Sequence, residues 1–572
     1  MKKIWNIAPR TEVSLLHQVL ANRGVSADGV EEFLTPDFER DTFSFSEFTK
    51  MPEAVARLFE ALANEEKIVI HGDYDADGVS GTTLLYSVIR DICKALEIPF
   101  MVEAFLPDRE KDGYGVAMHN VERFAAEGVR LLITVDCGIA NGLELGRAHE
   151  LGLDAIVCDH HQMGQHFPEY AIILHPLAPG ETYPNKTLCG TGVAYKFACG
   201  LVHEARNLGA DLAEGYEKWL LDLVAIATVT DVMPLIGENR ALEYFGLKVL
   251  QKTRRPGLKA LITSTGANPG EIDTQAIGYR IGPRLNAAGR LASAEIAFKA
   301  LSAETIEEAS VSVIRLEELN RERQAIFAEM YKSAREQARD AGDAPVLVVH
   351  SDSWLPGIVG LLAGRLVSEF GKPAFAMTNV GEQIVGSGRS LGGLHLVEAM
   401  NSCGDIFVKR GGHPQACGLT LPSRDSINVF RDKLNEFARA YFGEAGPIDK
   451  LQIDAEVPLS EVTFELIAML NSCQPFGEGN RPPVFASTKL KVREVTPMGQ
   501  TGAHVRLNVS DALGLPFKLV GFSMGHLLTS VKIGDVIDVA FEAGENEWNG
   551  RKEVQFRIID VAVGEGLRPS RT

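Results

Sequence analysis

Two hydrophobic rhythms divide the chain. From about Met51, short apolar runs alternate with longer stretches of helical spacing. The runs are KIVIHG (67–72), FMVEAFLP (100–107), LLITVDCG (131–138), LDAIVCDHH (153–161) and AIILHP (171–176), each ending in polar or glycine residues. Helical stretches such as GTTLLYSVIRDICKALE (81–97) lie between them. This alternation predicts βαβ units on a parallel sheet, with polar residues at strand C-terminal ends, where open α/β sheets bind ligands.

Residues 303–341 hold neither Gly nor Pro and are rich in helix formers, which predicts one long connecting helix. A second α/β unit follows: the strand PVLVVH (345–350), the helix GIVGLLAGRLVSEF (357–370), the strand PAFAMT (373–378), and two Gly-rich segments, IVGSGRSLGG (384–393) and KRGGHPQACGLTL (409–421). From Leu451 the rhythm shortens to period two in LKVREVTP, AHVRLNVS, FKLVGF, VIDVAFEA and EVQFRIIDV. Five evenly spaced short strands predict an OB-like barrel. The expected plan is α/β overall: a helical cap (1–45), a parallel-sheet α/β domain (46–302), the long helix (303–341), a second α/β domain (342–445) and the C-terminal barrel (446–572).

Bulk composition changes this picture in three places. Eight cysteines in 572 residues, with no CxxC pair, predict reduced thiols and a cytoplasmic chain. Cys137, Cys158 and Cys417 read as small core filler. No apolar run approaches ~18 residues, and the start lacks the apolar stretch of a secretory signal, so no membrane role is expected. The net charge of −19 argues against a polyanionic partner. Carboxylates that hold metal ions soften that argument, because they are negative only until loaded. Charge is also uneven, with 13 basic and 15 acidic residues over 450–572.

The densest chemistry follows the first apolar run: His71-Gly-Asp73-Tyr-Asp75-Ala-Asp77-Gly78. Three aspartates at alternate positions repel one another if buried, and a hard divalent cation resolves this. An EF-hand loop is excluded, since the Glu at its twelfth position is missing and the flanks are strand then helix. A solvated acidic turn remains the plain alternative. Asp136 ends the second such run, Asp159-His160-His161 ends another, and Asp231 ends the apolar helical stretch 222–231. Each alone has a dull explanation, and a lone HH pair is more often surface or core histidine than ligand. Together they put carboxylates and imidazoles on one edge of one sheet, a donor set suited to Mn²⁺ or Mg²⁺ rather than thiolate-bound zinc. Two ions sharing one aspartate would make a phosphodiester hydrolase.

HGDYDADGVSG, VDCG, DHH and TVTDVMPL resemble the four motifs of the DHH phosphoesterase family, and GGHPQACG resembles the glycine-rich motif of its DHHA1 companion domain. PDREKDGYG, YPNKTLCGTGVAYK, GENRAL, GPRLNAAGR, VGSGRS, IDAE and QPFGEGNRPPVF resemble the RecJ-type branch in particular, over nearly the whole chain. The DHH triplet is weak evidence; the segments in order are specific. The resemblance implies a single-stranded-DNA-specific 5′-to-3′ exonuclease. It would release 5′-mononucleotides by a two-metal mechanism in DNA repair and recombination. It would act as a monomer, with a single-strand-binding protein and a helicase as candidate partners.

The resemblance also assigns roles. Asp75, Asp77, Asp136, His160 and Asp231 match metal ligands, and Asp73 helps hold a metal or its water. Asp159 is expected to set the His160 tautomer, leaving His161 to face the scissile phosphate. His71 stands where some branches place a metal-binding histidine. Arg109 and Tyr114 are expected beside the metals. Arg290, Ser387 and Arg389 are expected on the 5′-terminal phosphate and its neighbours, with Gly411, Gly412 and His413 beside the nucleotide backbone. Without the resemblance, the GSGRS and GGHPQACG segments read equally well as ordinary Gly turns. Thr230 departs from the expected Ala before Asp231. In the barrel, Arg493, His504, Arg506, Lys518, Phe522, Trp548, Arg551, Lys552 and Phe556 are candidate strand contacts. Two other readings stand beside this one. A phosphodiesterase for very short or cyclic nucleotides would not need the cap and barrel. A non-catalytic scaffold would have lost acidic residues.

Overall fold

The structure, a computed structural model, describes residues 3–12, 14–390, 393–443, 446–447, 450–499, 502–548 and 550–564, with Trp548 by its backbone alone. The chain forms two compact units. One holds Met1–Thr35, Ile326–Gln474 and Arg481–Thr572; the other holds Pro36–Ala325 and Pro475–Asn480.

The N-terminal segment begins not with helix but with strand β1 (Ile4–Ile7), followed by short helices. β1 pairs in parallel with residues 450–453, and Trp5 Nε1 donates to Asp560 Oδ2 at 2.7 Å. The start of the chain is thus built onto the C-terminal module of the same unit.

In the second unit, β2 (Lys67–His71), β3 (Val102–Phe105), β4 (Val129–Val135), β5 (Asp154–Cys158) and β6 (Ile172–Leu174) form a sheet in the order β3-β2-β4-β5-β6, every pairing parallel. Both faces are covered. Ile68, Ile70, Leu131, Ile133 and Ile156 enter one core, while Val69, Leu132 and Val157 enter another with Val121, Phe124 and Leu145. Covering on both sides is why these strands read as unbroken apolar runs instead of alternating ones. Helices α1 (Ala76–Ala95), α2 (Gly190–Asn207) and α3 (Leu221–Thr230) bury most of their length on the first face. α4 (Gly237–Leu250) and α5 (Gly282–Leu291) follow. The strand order reverses between β2 and β4, and such a switch point opens a crevice at the strand C-termini.

Helix α6 (Ile306–Asp340) is the long helix expected from composition. In the first unit, β7 (Leu347–His350), β8 (Ala374–Val380), β9 (Gln383–Arg389), β10 (Lys409–Gly412) and β11 (Ala416–Leu421) form a mixed sheet in the order β10-β11-β9-β8-β7. β12 (Lys450–Ile453) is the partner of β1, and β13 (Ala455–Glu456) pairs with the first barrel strand. The barrel comprises β14 (Phe485–Met498), β15 (His504–Ser510), β16 (Pro516–Gly521), β17 (Val536–Trp548) and β18 (Arg551–Val563). The order β14-β15-β16-β18-β17 closes through β17–β14, with β16 and β18 parallel. That is the OB arrangement, and closure removes the exposed edges. All eight cysteines are unpaired, Cys137, Cys158 and Cys417 being buried. Among the described residues, no helix is long and apolar enough to cross a membrane.

Candidate metal centre

The acidic motifs converge at the β2/β4 switch point. Beyond β2 the chain turns into α1, and Asp75 is the N-cap: its Oδ1 accepts from Asp77 N at 3.0 Å and Gly78 N at 3.1 Å. Asp77, in the first turn of α1, is held by the N-terminus of α2, where Gly190 N and Thr191 N each donate to its carboxylate at 2.7 Å. Thr191 Oγ1 donates to the Asp77 carbonyl at 2.8 Å. This accounts for the CGTG run. A Cβ on Gly190 would lie 2.6 Å from Asp136 Cβ, so only glycine admits the helix end there. Asp136 follows β4 with φ +62, a left-handed backbone that costs an L-residue roughly 1–2 kcal/mol.

From β5, His160 Nε2 lies 3.1 Å from Asp136 Oδ1, 3.5 Å from Asp231 Oδ2 and 3.9 Å from Asp77 Oδ2. Asp231 caps the C-terminal end of α3. Donor atoms within 4.8 Å of one another fall into three groups: Asp73, Asp75 and Asp136; Asp77, His160 and Asp231; and Asp136, His160 and His161.

The electrostatics describe a site of concentrated negative charge. Burial, then neighbouring carboxylates, hold Asp73, Asp75, Asp136 and Asp231 above the ordinary carboxylate range. Asp73 Oδ1 and Asp231 Oδ2 are buried without a hydrogen bond. Buried, mutually repelling acids with unfilled lone pairs fit hard divalent cations. Burial, then His161, lowers His160 to about 4, so it is neutral, as a metal ligand must be. His161 goes the other way. Burial opposes its charge, but the hydrogen bond and charge of Asp159, with Asp231 and Asp73, outweigh it and raise the ring to about 9. A cation among the same carboxylates would draw that value down again.

Asp159 departs from expectation. Its Oδ1 accepts from the backbone N–H groups of His160 (2.7 Å) and His161 (3.1 Å), and it holds His161 Nδ1 at 2.9 Å. The tight turn folds the His161 ring back over the carboxylate and sends the His160 ring to Asp136. Asp159 therefore orients His161, not the His160 ring. His71 lies outside all three donor groups. Its fully buried ring sits 5.1 Å from that of Phe105, and burial lowers it to about 4.

Other expected residues fall into two sets. Near the acids, Tyr114 OH donates to the Asp136 carbonyl at 3.2 Å, and its ring lies 5.2 Å from His161. The Arg109 guanidinium sits 4.8 Å above the Tyr74 ring. Burial and Asp73 raise the Tyr74 phenol to about 12, against the opposing charges of Arg109 and Arg290. The second set belongs to the first unit. Arg389 Nη1 donates to Ser387 Oγ at 2.8 Å, and Ser387 Oγ to the Cys417 carbonyl at 3.1 Å. Gly411 and Gly412 lie on the adjoining strand pair, where Gly412 takes φ +136, and His413 N donates to Ala416 O at 2.7 Å.

In the barrel, Phe556 is core, packed on Phe541 and Phe517 because its β18 position points inward. Lys518 is paired with Glu553 at 2.6 Å and Lys552 with Glu545 at 3.3 Å. Phe522 is exposed. Arg493 Nε donates to Ser510 Oγ at 2.9 Å, and His504 Nδ1 accepts from Ser523 N at 2.8 Å. Arg506 Nε is buried without a hydrogen bond, and Arg551 is exposed at the start of β18. The Trp548 side chain lies outside the described residues.

Two roles had no chemical signature in the sequence. The motifs YPNKT and GENRAL meet at Glu238, whose buried carboxylate accepts from Tyr183 OH, Asn185 Nδ2, Phe43 N and Lys196 Nζ. The segment Pro475–Asn480 packs with the Asp231 loop: Leu235 N donates to Glu478 O at 2.7 Å, and Thr274 Oγ1 to Phe476 O at 2.6 Å. The residues leading into the barrel thus support the acid-bearing unit, so a cut near Gly446 would disturb it.

Three family models match: the DHH family N-terminal domain over residues 67–228, the DHHA1 domain over 343–440 and the RecJ OB domain over 453–560. The single-stranded-DNA-specific exonuclease RecJ of Bacillus subtilis is 36% identical over 98% of this chain and 70% of its own length. The RecJ of Escherichia coli is 30% identical over 96% of this chain and 95% of its own. The crystal structure of RecJ in complex with Mn²⁺ from Thermus thermophilus superposes with a TM-score of 0.81 at 28% identity, covering 99% of this chain and 80% of that one. The chain belongs to the RecJ family of DHH phosphoesterases.

Proposed function

We propose that the chain is a single-stranded-DNA-specific exonuclease that degrades from the 5′ end, releasing 5′-mononucleotides, and that it serves DNA repair and recombination. The observation that carries this is the pair of three-donor groups, Asp73/Asp75/Asp136 and Asp77/His160/Asp231, side by side at one sheet edge. Relatives are named single-stranded-DNA-specific exonucleases, and the crystal structure of one is a complex with Mn²⁺.

Asp75, Asp77, Asp136, His160 and Asp231, helped by Asp73, would hold two Mn²⁺ or Mg²⁺ ions. Such ions supply Lewis-acid charge to the phosphodiester and to an attacking water. Asp159 orients His161 through Nδ1, and the protonated ring would give its other proton to the departing O3′ as the water oxygen bonds to phosphorus and the P–O3′ bond breaks, the water's own proton passing to solvent. The nucleotide leaves with its own 5′-phosphate, and the shortened strand carries a new one, ready for the next cycle. Arg109, Tyr114 and Arg290 steady the nucleotides flanking the scissile bond. Ser387 and Arg389 are assigned to the 5′-terminal phosphate, a group that suits a guanidinium fork, and Gly411, Gly412 and His413 to the adjacent backbone.

By function the chain divides at 1–45 (cap), 46–302 (nuclease), 303–341 (connecting helix), 342–445 (5′-end domain) and 446–572 (strand-binding barrel). It works in the cytoplasm as a monomer, with a single-strand-binding protein and a helicase as partners. Strands labelled separately at each end, with and without 5′-phosphate, test this reading. The 5′ label should appear first, as mononucleotide, and Arg389→Ala should erase the 5′-phosphate preference more than it slows cleavage. Nucleotides released first from the 3′ end would refute the assignment.

A further inference from the structure

Helix α5 carries none of the acidic motifs, yet it touches both kinds of segment that do. Asn286 Oδ1 accepts from Ala76 N at 2.8 Å, between residues 210 apart in sequence. Ala76 lies between Asp75 and Asp77 and opens α1, where the first N–H groups have no partner within the helix. Asp75 serves the next two, those of Asp77 and Gly78. Asn286 completes that turn from outside.

One turn on, Gly289 lies flat against the Tyr74 carbonyl, and a Cβ there would press into that oxygen. At the other end of the helix, Gly282 packs on Thr230 Cγ2 so closely that a side chain would collide with it. A single rigid element therefore bears on residues 74, 76 and 230, the immediate neighbours of Asp73, Asp75, Asp77 and Asp231. Gly289 is seven helical steps beyond Gly282, a span of about 10 Å.

We propose that α5 is a spacer that sets the separation of the two acid-bearing segments, with Asn286 as the positioning residue that holds the Asp75–Asp77 turn in a shape able to take divalent cations. The proposal rests on the metal-centre reading above. Crowded carboxylates push the turn outward, and the Asn286 bond and the Gly289 contact oppose that push. A neutral amide is the suitable group, because it accepts a hydrogen bond without adding another negative charge.

The test uses the full chain and Mn²⁺ alone as probe, by titration calorimetry, at a temperature where circular dichroism shows each variant folded. Asn286→Ala should weaken Mn²⁺ binding about 10–100-fold, the range for groups that orient metal ligands. Single-strand cleavage should lose kcat while KM stays within about twofold. Thr253→Val, which removes a buried hydroxyl bonded to Asp222 at 2.6 Å, should leave Mn²⁺ affinity unchanged, so lost stability alone does not mimic the effect. Gly289→Ala should reproduce the affinity loss and carries the test if Asn286→Ala does not fold. Wild-type Mn²⁺ affinity in either folded variant overturns the spacer. A wild-type chain that binds no Mn²⁺ overturns the metal centre itself.

Discussion

Glu238 offers the sharpest stability test. Its side chain is 0% exposed and that of its partner Lys196 is 4% exposed, with 2.7 Å between Nζ and Oε1. Tyr183 OH donates to both carboxylate oxygens at 2.9 Å, Phe43 N to one at 2.8 Å, and Asn185 Nδ2 to the other at 3.1 Å. Lys196 Nζ also donates to the Phe43 carbonyl at 2.7 Å. Glu238→Ala leaves a buried ammonium and three donors without their acceptor. Removing one member of a buried pair costs about 3–5 kcal/mol. The neutral donors add to this, though not additively, because they share one network. At about 2 °C per kcal/mol for a unit of this size, the melting temperature should fall roughly 6–10 °C. The double variant Lys196→Met, Glu238→Leu removes both charges at similar volume and should recover most of that loss. Differential scanning calorimetry reads both. A fall under about 2 °C, within the shift expected for a single kcal/mol, or a double variant as unstable as Glu238→Ala, would refute the reasoning.

Three further outcomes follow from buried or strained positions. Glu243 is fully buried, neither carboxylate oxygen has a hydrogen bond, and burial holds it protonated well above the ordinary range. Above pH ~4.5 the unfolded chain gives up this proton and the folded one keeps it, so stability falls by up to about 1.4 kcal/mol per pH unit until the folded group ionises. Glu243→Gln should therefore melt higher by a margin that widens from about pH 5 to 8, and a margin flat with pH would contradict this. Val232 takes φ +57 at 63% exposure just after α3, where glycine is usual. Val232→Gly should raise stability by about 0.5–1 kcal/mol, and a lowered melting temperature would count against backbone strain there. Gly190→Ala should abolish cleavage and Mn²⁺ binding by displacing Asp136. Gly146→Ala, with open space around its Cβ, serves as the neutral control in the same assays.

The parallel sheet was legible because each strand is buried on both faces and so forms an unbroken apolar run. The barrel was legible for the opposite reason: one buried face gives period-two alternation. The acids stood out because like charges at strand ends need a cation. What stayed hidden depends on directions that one-dimensional spacing does not carry. Asp159 turns to His161 instead of His160 because a tight turn brings back the second residue and not the first. The start of the chain read as helix, but Ile4–Ile7 is strand because β12, at the far end of the sequence, offers an edge. The support given by Glu238, Asn286 and Pro475–Asn480 comes from contacts between distant segments, and only their presence within recognisable motifs hinted at it.

Melting curves of the wild type and Asp136→Asn, each with and without Mn²⁺, test the central claim most directly. Without divalent cations, burial and the neighbouring carboxylates disfavour the Asp136 charge more than His160 at 3.1 Å relieves it, so Asp136→Asn should melt higher than the wild type. With Mn²⁺ at about 100 times its Kd, the wild type should gain about 2.7 kcal/mol per ion held, and Asp136→Asn should gain little, reversing the order. Mn²⁺ that left the wild type unmoved, or that raised both proteins equally, would contradict a cation centre built around Asp136.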